Sequence, residues 1–236
     1  MVQLARDGGQ WGAHGRDRHA RITPLPAAHT WEYDGTDMCT AVRTVVDIAR
    51  AESFRNAVVV ADGALRRGVD PAELSDVVGF MKRWPGTARA KQVVAFADGR
   101  AETPLESLVR VAARSPALPH LEPQVEIYYW GEFLGRADFL VEEYLLAVES
   151  DGAIKFEGEG VLPALLGRQE DIRDAGVDVL RTNWNEVFKT PAVFVERLTR
   201  RLEERGPRSL PAGLELRRTR VRPQPPFLGS ASFLAA

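Results

Sequence analysis

Three strand-like runs in close succession behind a single amphipathic helix constrain this chain more than any other feature. In ETPLESLVRVAARSP, residues 102–116, Leu105, Leu108, Val109 and Ala112 mark one apolar face, Thr103 is placed to cap, and Glu106 is expected to be exposed near the first turn. The runs PQVEIYYW, LGRADFLVEE and YLLAVESD follow, the first two separated by Gly131-Glu132-Phe133. A helix over LPALLGRQEDIRDAG, closed by Gly176, leads to a strand VDVLRTNW and a last helix from Pro191 to Arg205. The order helix, three strands, helix, strand, helix predicts an α/β domain over residues 100–205. Residues 40–99 read as mostly helical: AVRTVVDIARAESF has Val42, Val45, Val46 and Ile48 at helical spacing with Arg43 and Asp47 as a surface pair, and Asp70 caps PAELSDVVGFM. Residues 1–39 read as irregular with weak strands, and the Pro-rich stretch 206–236 as a disordered basic tail.

The chemistry concentrates in ADFLVEEYLLAVESDG. A tight turn at Glu143 and Tyr144 would set Asp138 directly opposite Glu149 on neighbouring antiparallel strands, with Cβ atoms about 5 Å apart. Two carboxylates that close repel unless a cation or a shared proton offsets them, and Mg²⁺ accepts one or two carboxylates while keeping waters and phosphate oxygens as its other ligands. Asp151 lies two residues past Glu149 and projects to the same face while the strand persists, and Lys155 follows closely enough to swing back toward the acids. The same alternation fits a half-solvated hairpin whose acids pair with Arg.

Composition limits the partners. Against 31 Lys and Arg the 236 residues carry 33 Asp and Glu, so the formal charge is -2 and no global basic field draws the chain onto nucleic acid. The stretch 206–236 holds five Arg and one Glu, a charge of +4, which leaves -6 on the remainder. A metal among the acids would reverse that sign locally. A single Cys, four scattered His and no long apolar run exclude a disulfide framework, a cysteine-based zinc site and a membrane span, and suit a cytoplasmic protein. Only four of the basic residues are Lys, and Lys155 is one of them.

Glu106 on a helix, Asp138 in Arg136-Ala137-Asp138-Phe139, Glu149-Ser150-Asp151-Gly152, then Arg168, Gly176, Val179 and Arg181 form a pattern. It resembles the PD-(D/E)xK (restriction-endonuclease-like) superfamily, and more closely a domain-of-unknown-function family akin to very-short-patch repair endonucleases, often labelled AbiEi-like antitoxins in actinobacteria. RTVVDIAR and ADGALRRG also look like these proteins, so the resemblance spans roughly residues 41–205. It implies a restriction-endonuclease-like core and a Mg²⁺-dependent DNA endonuclease. In that reading Glu106, Asp138 and Glu149 gather the metal, Asp151 assists, Lys155 lies near the scissile phosphate, and Arg136, Arg168 and Arg181 face DNA. The alternative it implies is a non-catalytic antitoxin or transcriptional regulator that keeps the scaffold and binds a cognate toxin. A third reading leaves the acids without a function. Lys155 stands where the repair-like family has His, Asp151 where the strict motif has Lys, and Leu165 where an acid is frequent. Trp184 and Phe188 have helical spacing and read as core, and His120 as a lone surface-loop residue.

Overall fold

The computed structural model describes residues 2–6, 18–151 and 170–220. Strands β1 (Val2–Arg6) and β2 (Arg18–Ile22) pair in parallel, and β3 (Thr30–Tyr33) and β4 (Thr36–Cys39) form an antiparallel hairpin. Four helices follow: α1 (Ala41–Ala51), α2 (Phe54–Arg66), α3 (Pro71–Phe80) and α4 (Thr87–Phe96). Their starts follow from sequence, because the side chains of Thr40, Ser53 and Asp70 accept hydrogen bonds from the first-turn amides of Arg43, Asn56 and Ala72. Val46, Ala49, Val58, Ala61, Leu74, Met81 and Val93 form the core of this bundle.

Arg43 is not a surface residue. Its side chain is 0% exposed, and its guanidinium donates to Asp47 Oδ2 at 2.6 Å, Thr23 Oγ1 at 2.9 Å and the Pro24 carbonyl at 3.0 Å, with His29 Nδ1 at 3.2 Å. Helical spacing locates Asp47 correctly but cannot show that residues 23–29 fold back over the same helix face.

The α/β part begins with α5 (Pro104–Ala112) and continues through β5 (Glu122–Tyr129), β6 (Glu132–Val141), β7 (Leu146–Asp151) and β8 (Asp178–Asn183), then α6 (Pro191–Arg205) and β9 (Leu214–Arg218). The five strands form one mixed sheet in the order β8-β7-β6-β5-β9, antiparallel except for the β7–β8 pair. A parallel neighbour requires a crossover, and the helical turn over residues 170–174 ends it, with Gly176 at φ 92° and Val177 donating to the Ile172 carbonyl. Phe139, Leu146, Val148 and Leu180 pack with Leu105, Leu108, Val109, Phe194 and Leu198 of α5 and α6. A second cluster joins Val125, Ile127, Ala147 and Val179 to Ile172 and Ala175. The fold is thus α/β, a helical segment followed by a mixed sheet with helices.

Two local readings differ. The β6–β7 connection is a 3₁₀ turn over Glu142–Tyr144 closed by Leu145 at φ 46°, longer than a two-residue turn, yet Phe139↔Val148 and Leu140↔Ala147 keep the expected register. The stretch after Gly206 contributes an edge strand, because Leu214 enters the core and Leu216 packs against it while β5 offers an open edge. Among the described residues no helix is long and apolar enough to cross a membrane.

Arg43→Ala is expected to destabilise the protein by about 3 kcal/mol, since it leaves the buried Thr23 hydroxyl and the Pro24 carbonyl without their donor and Asp47 with Arg50 as its remaining cation. Urea unfolding of the variant and of Arg43→Lys checks this. A Lys variant as stable as the parent would show that the guanidinium fork is dispensable.

Candidate active site

The N-terminus of α5 positions the first acid. Thr103 Oγ1 accepts from the Glu106 amide at 3.2 Å, while the Glu106 carboxylate accepts from Thr103 Oγ1 at 2.8 Å and the Glu102 amide at 2.7 Å. Gln124 Nε2 on β5 also donates to Glu106 Oε2 at 2.8 Å. Glu106 is therefore buried, 3% exposed, and not displayed on the helix surface. The capping geometry turns its side chain back over the helix start, beneath β5. Burial first, and then the negative charge of Asp138, push its pKa up to about 7.

Asp138 sits on β6, where its Oδ2 accepts from the Ser150 amide of β7 at 2.7 Å. Burial raises its pKa, and the Ser150 amide and the Arg136 charge offset part of that rise. The β6–β7 ladder ends at Phe139↔Val148, and Asp138 and Glu149 are the next residues along their strands. Both line one open groove of about 360 Å³ with Glu126, Phe133, Leu134, Gly135 and Arg136. Arg136 Nη2 donates to Glu102 Oε2 at 2.8 Å. On the other side, Glu149 is in register with Arg181 of β8, whose Nη1 lies 3.6 Å from Asp151 Oδ2. Sequence spacing alone could not assign these ion pairs, since they join residues from different elements.

The structure thus brings Asp138, Glu149 and Arg136 to one groove, places Asp151 and Arg181 beside it, and sets Glu106 behind Asp138. Lys155 and Arg168 lie outside the described residues. Among the described residues, no three His, Cys, Asp or Glu side chains gather to hold a metal ion. Both Glu106 oxygens are already engaged, so the donor set on the groove is the pair Asp138 and Glu149. Two carboxylates are what Mg²⁺ takes from a protein when waters and phosphate complete its shell.

Gln124 is a site residue that sequence reading missed. It is buried, holds φ at 55°, and its Oε1 has no hydrogen-bond partner among the described residues. The sequence signal is slight, an amide between Pro123 and Val125 near the start of the strand. Trp184 and Phe188 are surface residues, not core. They are 43% and 37% exposed, stack at 5.1 Å, and Arg55 caps the Phe188 ring at 4.4 Å. The π-helical turn Asn185–Lys189 rotates them outward and buries Val187 instead. His120 is exposed as expected, with Nε2 at 3.2 Å from Glu122 Oε2.

Comparison with known proteins gives two distant relatives. Uncharacterized protein MT2308 and Uncharacterized protein Rv2248, both from Mycobacterium tuberculosis, are each 27% identical to this chain over 161 residues, covering 68% of it and 59% of the relative. The chain spans about three-fifths of the length of these curated relatives. No family model matches the chain, and no solved structure matches it significantly.

The Glu106 pKa has a consequence for stability. A carboxyl raised from 4.5 unfolded to about 7 folded binds its proton more tightly in the native state. Its contribution is therefore full below pH 4.5 and is lost as pH rises toward 7. The loss amounts to about 3 kcal/mol at most. Glu106→Gln is expected to flatten this slope and to be the more stable protein at pH 8. Thermal melts in EDTA from pH 5 to pH 8 check it, and parallel curves for parent and variant would refute the assignment.

Proposed function

We propose that this chain is a nuclease-like protein that hydrolyses phosphodiester bonds in DNA with Mg²⁺ held by Asp138 and Glu149. The observation that carries the reading is that these two acids line one open groove from adjacent strands while a third, Glu106, is buried behind Asp138. Bringing like charges together costs free energy, which a divalent cation reverses. When bound, Mg²⁺ polarises a phosphoryl oxygen and lowers the pKa of an attacking water.

The chain's own residues prepare that site. The Ser150 amide fixes the rotamer of Asp138, and the β6–β7 register holds Glu149 on the neighbouring strand. Glu106 carries a proton near neutrality and, through Gln124, ties α5 to the strand beside Asp138. In this reading Arg136 on the groove and Arg181 beside Asp151 would meet phosphates, while Lys155 and Arg168, which it assigns to the scissile phosphate and the backbone, lie outside the described residues.

A second reading is an AbiEi-like antitoxin or regulator on the same scaffold, with a cognate toxin as partner. The ion pairs Arg136–Glu102 and Arg181–Asp151 favour it, because they engage the two guanidinium groups that a phosphate substrate would need.

Incubation of supercoiled plasmid with Mg²⁺ or Mn²⁺ separates the two. Nicking is expected, with a loss of at least a hundredfold in Asp138→Ala and in Glu149→Ala. Absence of cleavage on duplex and single-stranded substrates, together with rescue of growth on co-expression with a neighbouring toxin gene, would establish the second reading instead.

A further inference from the structure

The groove that ends at Asp138 and Glu149 begins at the exposed ring of Phe133, beside Tyr128. The sheet register orders this face in rows. Tyr128 of β5 is opposite Phe133 of β6, with ring centroids 5.3 Å apart, and opposite Glu215 of β9. The next row carries Glu126 between Arg136 and Arg217, and Asp138 lies two residues beyond Arg136. Phe133 is 57% exposed and lines the groove directly. The Arg217 guanidinium lies 4.1 Å from the Tyr128 ring centroid.

At the hairpin tip Trp130 is 71% exposed, with its ring edge-on to Tyr129 at a centroid distance of 6.1 Å. Its place is built. Trp130 holds φ at 51° ahead of Gly131 at φ 85°, the conformation of a turn that favours Asn-Gly, and its amide donates to the Gly213 carbonyl at 2.8 Å. One indole face rests on Gly213, where an added Cβ would come within 2.5 Å of the ring. A left-handed bulky residue costs about 1–3 kcal/mol, so this exposed ring is held at a cost and not left over from the fold.

We infer that this strip, Trp130, Phe133 and Tyr128 with Arg217 and Arg136, is a stacking surface for unpaired bases of single-stranded DNA, leading the strand toward the acid pair. Aromatic faces interleaved with guanidinium groups suit bases and phosphates together, and the acids that share these rows are flanked by Arg: Glu126 lies between Arg136 and Arg217, and Glu215 accepts from Arg217 at 2.8 Å. Tyr128 and the Asp138 row are four strand residues apart, about 13 Å. That distance is about four stacked nucleotides. The inference deepens the nuclease reading by naming its substrate class, but base stacking requires no cleavage and is tested without it.

The test is fluorescence anisotropy of a labelled oligo-dT, measured in EDTA and again with Ca²⁺, with matched duplex DNA and oligo-rU as competitors. The full chain is expected to bind oligo-dT in at least one condition and more tightly than duplex. Phe133→Ala and Trp130→Ala are each expected to weaken it at least fivefold. Tyr33→Ala, an exposed aromatic on the distant β3–β4 hairpin, is expected to leave it unchanged. Melting curves verify that each variant is folded, and Phe133→Tyr, which keeps a ring, should restore affinity. Binding without cleavage in Mg²⁺ sinks the nuclease reading and keeps this surface. Cleavage or binding that Phe133→Ala and Trp130→Ala leave unaltered overturns the surface. So does a preference for duplex or for oligo-rU, or concentration-dependent self-association lost in these variants without DNA binding.

Discussion

The register of β6 against β7 is the constraint on which the candidate site depends. Side chains alternate along a strand, so a slip of one residue would send Asp138 and Glu149 to opposite faces and expose Phe139 and Val148. Burial enforces the register: Phe139, Leu146 and Val148 fill the layer beneath α5 and α6, and Leu140 and Ala147 fill the other. Packing of these apolar side chains therefore holds the acids together against their mutual repulsion. The apolar core sets the ladder, and the two carboxylates are the next residues beyond its last apolar pair.

The helical bundle is joined to this framework by charge as well as packing. Asp62 of α2 is almost fully buried and meets Arg110 of α5 at 2.7 Å, while Arg110 also donates to the Phe96 carbonyl at the end of α4. Asp62 further accepts from the Asp98 amide, and Arg100 bridges Asp98 to Glu122 at the start of β5. Breaking such a pair leaves a buried charge unpaired, so the network holds α5 in one position relative to the bundle. Because α5 carries Glu106, the bundle supports the site without contributing a side chain to the groove.

Much of this was legible in the chain itself. Thr103, Asp70 and Gly176 marked helix ends because caps and left-handed stops are local chemistry. The succession of strands along the chain followed from their apolar runs, and the β6–β7 register from a turn placed at Glu143 and Tyr144, which the 3₁₀ turn over Glu142–Tyr144 preserves. The readings that failed each depended on what packs on a residue from far away. Glu106 looked exposed on its own helix and is buried by β5. Arg43 looked like half of a surface pair and is covered by residues 23–29. Trp184 and Phe188 have helical spacing, but a π turn points them outward. The aperiodic stretch after Gly206 carried no strand signal of its own, and Leu214–Arg218 becomes a strand only because β5 has an unpaired edge.

The sequence by itself determined the order of helices and strands, their principal caps and the pairing that brings Asp138 and Glu149 to one groove, because these rest on side-chain periodicity and on contacts within a few residues. Only the tertiary structure decided the protonation of Glu106, the ion pairs of Arg136 and Arg181, the engagement of Gln124, and the exposure of the aromatic hairpin tip. Each of those depends on desolvation or on a partner brought from another element, and neither quantity is carried by the spacing of residues along the chain.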